Sequence, residues 1–411
     1  MKKNNYKSYY YYLYDWANSP FSTIVITFIF SSYFTNTISE DIITGTSLWG
    51  WTIALSGIFI AFFSPMLGFI ADNKRNFSKI FLYISTIIVV ICSFSLWFAT
   101  NKINVFLFLT IILIGNIFFE IGQVFYNSQL INFSKNKNYG EFSGKAWASG
   151  YLGGIFCLAI ILALFLIPGK SVFILNESEY ENIRICGPIV GFWFLIFSLP
   201  FLINCKSKNI ASEEKFLFSS FLKNIKIVVK DKNKLKFFIA RMIYTDGLIT
   251  LFSFGGIYAT GSFDFNFTDI IIFGIAINVS AAVGAYIFGF LEDMIGIKRV
   301  IIISLVILIL ICIIILCIEN KTYFWIFGIM LGFFIGSIQS SSRTALISLS
   351  KKENINSLFG IYAMSGKITN FIGPLLVATF TSIFESQRAG MATILFFLII
   401  GAALFSRVKL K

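Results

Sequence analysis

Residues 68–75 read Gly-Phe-Ile-Ala-Asp-Asn-Lys-Arg, and residues 289–299 read Gly-Phe-Leu-Glu-Asp-Met-Ile-Gly-Ile-Lys-Arg. Each stretch closes one long apolar run and opens the next. Each sets a glycine four residues before an acid and follows the acid with a basic pair. Asp72 and Asp293 lie 221 residues apart. Ser143-Gly144-Lys145 recurs as Ser365-Gly366-Lys367 at an offset of 222. Tyr14-Asp15 in the first apolar run is matched by Tyr244 and Asp246 in the seventh. Three features in the same order, two of them at offsets of 221 and 222, make a chain of two related halves.

The composition says where those halves sit. The 411 residues are 57% hydrophobic and 13% charged, with a mean hydropathy of +0.82. A soluble chain carries about 25% charged residues, and a single soluble core stops growing before it can bury this much apolar surface. The remaining solvent is lipid. Histidine is absent, which removes the usual side chain for base catalysis or metal ligation near neutral pH. The six cysteines are scattered and form no CxxC pair, so they read as packing residues. No metal, cofactor or enzymatic activity is expected. The net charge of +13 raises nucleic acid as a partner, but the basic residues fall in short stretches between apolar runs, which fits a bilayer instead. Met1 to Tyr12 is basic and aromatic, and the run after it has no small-residue cleavage site. It reads as a retained first helix.

A spanning helix needs about 20 mostly apolar residues. Twelve runs qualify, at 11–34, 47–71, 79–99, 104–128, 145–167, 186–204, 236–260, 269–291, 299–318, 322–345, 358–384 and 389–406. With the N-terminus inside, one face collects 25 Lys and Arg and the other five, while Arg241, Arg343 and Lys367 lie within helices. That bias predicts cytoplasmic termini. The expected organisation is a six-helix half over 1–204, a basic linker over 205–235 and a second half over 236–411. Within the linker, Phe216 to Val229 reads either as an amphipathic helix on the anionic inner leaflet or as a solvated tether. Usage rich in Asn, Lys, Ile and Phe points to an AT-rich genome and a bacterial inner membrane.

The two glycine–acid–basic loops resemble the signature loop of the major facilitator superfamily. The second copy, from Gly289 through Asp293 and Gly296 to Lys298-Arg299, is nearly complete; the first, from Gly68 through Asp72 to Arg75, lacks the internal glycine. Further blocks resemble the vacuole-effluxer-like family within it. They are Tyr14-Asp15-Trp16-Ala17-Asn18-Ser19, Phe125-Tyr126-Asn127, Gly150-Tyr151-Leu152-Gly153-Gly154, Arg241-Met242 with Tyr244, Asp246 and Gly247, Gln339 with Arg343, and Phe359-Gly360 through Ser365-Gly366-Lys367 to Gly373-Pro374. Ser357-Leu358 departs from the acid and aromatic that such relatives show there. The resemblance implies a twelve-helix, all-α bundle that moves a solute by alternating access, with helices one and seven lining one cavity. The family name refers to amino-acid efflux.

Ionisable groups inside a span cost about 2.5–3.5 kcal/mol each on insertion scales and mark functional or paired positions. Here they are Asp15, Glu120, Asp246, Arg241, Arg343 and Lys367. With Asn18 and Asn127, the candidates for substrate or a coupling ion are Asp15, Glu120, Asp246, Arg343 and Lys367. Glu120 and Arg343 lie 223 residues apart, close to the repeat offset, and read as a salt bridge across the cavity or as separate proton and carboxylate sites. Arg241 reads as a snorkelling cation. Gly68, Asp72, Arg75, Gly289, Asp293, Lys298 and Arg299 read as gating loops, and Gly373-Pro374 as a helix kink. No phosphate-cradling loop is present. The expected function is therefore secondary transport of a small polar solute, an amino acid among the candidates, driven by a proton or sodium gradient or by the solute's own. The alternative is a membrane receptor that binds without flux.

Overall fold

The computed structural model describes residues 5–100, 102–134, 138–166, 175–205 and 217–410. Among them every regular element is helical. Eleven helices are long and apolar enough to cross a membrane: α1 Ser8–Ile38, α2 Ile42–Asn73, α3 Phe77–Phe98, α4 Val105–Phe133, α5 Tyr139–Leu166, α6 Glu181–Asn204, α7 Lys232–Phe263, α8 Asp269–Ile295, α9 Ile297–Cys317, α10 Lys321–Leu349 and α12 Gln387–Ser406. The twelfth pass is made by two pieces, α11a Ile355–Ser365 and α11b Ile372–Phe384. The sequence expectation of one continuous helix over 358–384 is corrected here. Residues 366–371 are unwound into turns.

Proline chemistry accounts for much of that break. Pro374 has no N–H to give to the Asn370 carbonyl, and its ring crowds that carbonyl. The pair Gly373-Pro374 thus sits in the first turn of a new helix rather than at a kink inside an old one. Helix α1 is perturbed similarly. Pro20 ends its regular winding, and Phe21–Phe28 is π-wound. The Trp16 carbonyl that Pro20 releases accepts instead from Trp193 Nε1 of α6 at 3.1 Å.

Several helix starts are fixed by side chains, as expected where four N–H groups lack partners. Asp41 accepts from the N–H groups of Ile43 and Thr44 at 2.9 Å each, and the Thr44 hydroxyl and N–H hold its carboxyl below the usual carboxylate range. Asn104, Asn320 and Asp231 do the same for α4, α10 and α7. Asn266 and Asp269 form a reciprocal cap at α8.

In the first half, α1 packs on α5 and α6, and α3 on α4 and α6; in the second, α8 packs on α10, and α7, α9 and α11b on α12. The halves meet where α5 lies along α8 and α10, and where α11a lies against α2 and α4. Both described termini lie at the same end of the bundle, with the short basic connections; this is called the basic end below. Phe218–Lys230 forms the linker helix in the anticipated region. It docks at this end, with Asn224 Nδ2 donating to Ser357 Oγ at 2.7 Å and Phe221 against Phe69. Lys2, Lys3, Lys135, Lys137, Lys170, Lys206, Lys208, Lys215 and Phe216 lie outside the described residues.

Candidate functional site

The two signature acids act on the opposite half. Asp293, two residues before the end of α8, accepts from the N–H groups of Gly140 and Glu141 at the start of α5, at 3.0 and 2.8 Å. Asp72, at the end of α2, accepts from the Asn356 and Ser357 N–H groups at the start of α11a, at 3.3 and 2.8 Å, and from Asn356 Nδ2 at 3.0 Å. Each carboxylate caps a helix N-terminus across the seam, where it satisfies orphan donors and the helix dipole together. The sequence anticipated caps on the next helix in the chain, or basic partners across the seam. In the structure both acids accept from N–H groups at a helix start in the other half, and Asp72 accepts from the Asn356 side-chain amide as well. The glycines make this approach possible. A Cβ on Gly68 would strike the Asn356 carbonyl, and one on Gly144 would strike the carbonyl of Ala285 and the Cα of Gly289. Lys298 is half-buried, whereas Arg75 and Arg299 are exposed at the rim.

One layer deeper, Arg343 of α10 reaches fully into the first half. Its side chain is 2% exposed. Nε donates to Ser143 Oγ at 2.9 Å, Nη2 to the Ser143 carbonyl at 2.8 Å, and Nη1 to Asn127 Oδ1 at 3.0 Å and Asp15 Oδ2 at 3.4 Å. Tyr11, Tyr126 and Trp147 surround the guanidinium, with ring centroids 5.7, 6.0 and 5.7 Å away. Asn18, one turn beyond Asp15, is buried with its Nδ2 unpartnered. The structure therefore brings Asp15, Asn127 and Arg343 together. Ser143, Tyr126 and Trp147 complete the layer. The sequence marks Ser143 as part of a repeat and, with Gly144, of a block that carries the family resemblance, but not as a site residue.

At mid-bundle, Lys367 Nζ in the unwound segment donates to Glu120 Oε1 of α4 at 2.6 Å. Both side chains are about a quarter exposed, at 22% and 26%. The anticipated Glu120–Arg343 pair is thus replaced by two pairs, Glu120–Lys367 and Asp15–Arg343. Repeat-equivalent positions lie on opposite sides of the pseudo-twofold and need not touch. Arg241 is no snorkelling cation either. It is buried, with Nη1 donating to the Tyr362 carbonyl and to Ser365 Oγ at 2.6 and 2.7 Å, and its guanidinium stacked 3.3 Å from the Tyr362 ring centroid. Gly366 N–H has turned back to the Ala363 carbonyl, which frees the Tyr362 carbonyl for Arg241. Asp246, five residues along α7, is 3% exposed, and neither carboxylate oxygen makes a well-formed hydrogen bond, although the Gly373 N–H lies beside it. It abuts the first turn of α11b, where a Cβ on Gly373 would lie 3.3 Å from Asp246 Oδ1. Among the described residues no group of three acids or cysteines is placed to hold a metal.

Two helical halves tied at one end by paired acid-loop caps define a membrane transporter of the major facilitator type. Solved structures share the fold. FucP in its outward conformation, from a major facilitator transporter, matches with a TM-score of 0.80 over 100% of this chain and 99% of its own, at 12% identity. The human organic anion transporter MFSD10 matches with a TM-score of 0.77 over 98% and 100%, at 11% identity. In sequence, the MFS-type transporter YxiO of Bacillus subtilis is 24% identical over 408 residues, which cover 96% of this chain and 93% of that one. Autophagy-related protein 22 of Kluyveromyces lactis is 22% identical over 289 residues, covering 64% of this chain and 57% of its own length. The family described as vacuole effluxer Atg22 like matches residues 131–411. The chain belongs to that family.

Proposed function

We propose that this transporter carries a small polar solute across a bacterial inner membrane by alternating access, coupled to protons, with both termini and the basic end cytoplasmic. The observation that carries the reading is the uneven seam. Among the described residues, hydrogen bonds and ion pairs between the halves lie at the basic end or mid-bundle. Toward the other end the halves meet through apolar contact, with the Phe28 ring against Gly274. On this reading the cytoplasmic gate is shut and the solute enters from outside.

The charges at mid-bundle then have distinct work. The Glu120–Lys367 pair presents both signs to an entering solute, which suits a zwitterion such as an amino acid. Asp246, buried without a charged partner or a well-formed hydrogen bond, is the coupling-ion candidate. The family's effluxer description supports an amino acid only loosely. The structural neighbour FucP is a fucose:proton symporter, which supports proton coupling as a property of the fold type. Counterflow of labelled amino acids, sugars and nucleosides into proteoliposomes tests the reading. Exchange of at least one class is expected, stimulated by an inward acid gradient and lost in Asp246→Asn. Ligand binding without flux would favour a receptor, and flux indifferent to the pH gradient would remove the proton.

A further inference from the structure

Glu292 precedes the signature acid of the second loop and has no part in the site described above. Its repeat mate is Ala71, because Ile70-Ala71-Asp72 aligns with Leu291-Glu292-Asp293 at the 221-residue offset. Both positions are buried, at 1% and 2% exposure. The same turn therefore folds around a methyl group in one half and a carboxyl group in the other. The fold does not require the acid, and burial of a carboxylate without a partner opposes folding strongly.

Neither oxygen of Glu292 has a hydrogen-bond partner. Its Cβ lies where a side chain on Gly140 of α5 would begin, so it stands in the contact between the halves. Ser341 and Thr344 of α10 lie beside it without a well-formed hydrogen bond, and the Ser341 hydroxyl is itself unpartnered. The charged groups around it are committed elsewhere. Asp293 on its own helix caps α5. Glu141 and Lys145 on α5 pair with each other. Arg343 on α10 is spent on Asp15, Asn127 and Ser143. Arg299 on α9 is exposed at the rim, and Lys298 beside it is half-buried. Arg241 on α7 is turned toward α11a.

We propose that Glu292 is a proton-binding site whose occupancy is tied to closure of the basic-end seal, an inference that rests on the alternating-access reading. With the seal closed the side chain is the neutral acid. Arg343 and Glu292 both belong to the second half, whereas Asp15, Asn127 and Ser143 belong to the first. When the halves part at this end, Arg343 loses its three partners and stays with Glu292 on the second half, within electrostatic reach of it. The Glu292 O–H bond breaks, the proton leaves with the water that enters, and the carboxylate becomes the counter-charge of the guanidinium. Closing reverses each step. Asp15 and Glu292 thus compete for one arginine, closure takes up one proton, and acid favours the closed seal.

Spin labels at Asn132 and Lys352 test this. Both positions are exposed at the basic end, on opposite halves. Cys317 is replaced by serine, since the other five cysteines are buried. In the wild type the interlabel distance is expected to lengthen as pH is raised from acid to alkali. Glu292→Gln, the isostere of the neutral acid, is expected to lose that shift and remain short throughout. Glu292→Ala, which copies the repeat mate, should do likewise and controls for folding. A Gln variant that follows the wild-type curve overturns the inference. So does a wild-type distance that ignores pH. If a transported solute still lengthens it, alternating access survives and only the Glu292 site falls; if nothing lengthens it, both fall.

Discussion

A guanidinium as buried as that of Arg343 must spend its donors on fixed acceptors, and it does so on three residues of the other half. A lysine offers a point charge in place of that planar fork. Arg343→Lys is therefore expected to leave Asn127 or the Ser143 carbonyl without a donor and to weaken the closed seal by about 2–4 kcal/mol. The measurement is the same pair of labels at Asn132 and Lys352, which should report the open distance even in acid. Asp15, Asn127 and Arg343 were each legible in the sequence as polar groups at apolar positions. Their joint engagement was not, because spacing along the chain gives depth in the membrane but not the direction a helix faces. Glu292 escaped for a related reason. Read from the sequence it sits at a helix–loop edge, and only the packing of Gly140 against it removes it from water.

Elements carry a different lesson. Each of the twelve passes was visible as an apolar run, since a span must be about 20 residues of low polarity whatever its neighbours are. The break in the eleventh was not, because the apolar residues on both sides of Gly366-Lys367-Ile368-Thr369-Asn370-Phe371 let one run be read straight through it, and the break is fixed by tertiary contacts. Arg241 takes the carbonyl that Gly366 abandons, Lys367 turns to Glu120, and Pro374 refuses the Asn370 carbonyl. Proline inside a helix costs about 3 kcal/mol. Pro374→Ala should thus let α11b grow back toward Asn370, stiffen the break and slow counterflow severalfold while leaving the amount of folded protein unchanged. Gly373→Ala should be harsher, since its Cβ would collide with the Thr250 hydroxyl beside Asp246. Loss of exchange with retained folding is the expected outcome, and wild-type exchange in both variants would deny helix eleven a moving part.

For the whole molecule, the two halves are related in sequence yet not used alike. Both acid loops close the same end, each by capping a helix of the other half, so the closed seal has a pseudo-twofold of its own. The arginine layer beneath it breaks that symmetry, because Arg343 crosses the seam while Arg241 stays within its half. On the alternating-access reading, the close helix approaches at Gly68 and Gly144 exist only while this end is shut. A side chain added there is a wedge against one conformation, not against the fold. Overpacking costs about 1–3 kcal/mol, enough to move a balanced equilibrium roughly 5- to 150-fold. Gly144→Ala is thus expected to drive the basic end open at every pH, with the interlabel distance long in both acid and alkali. Gly255→Ala is the matched control, because a Cβ there meets nothing within 4 Å, and it should behave as wild type. If Gly144→Ala leaves the distance short, α5 and α8 do not part when the carrier turns, and the seal described here is a permanent joint between the halves.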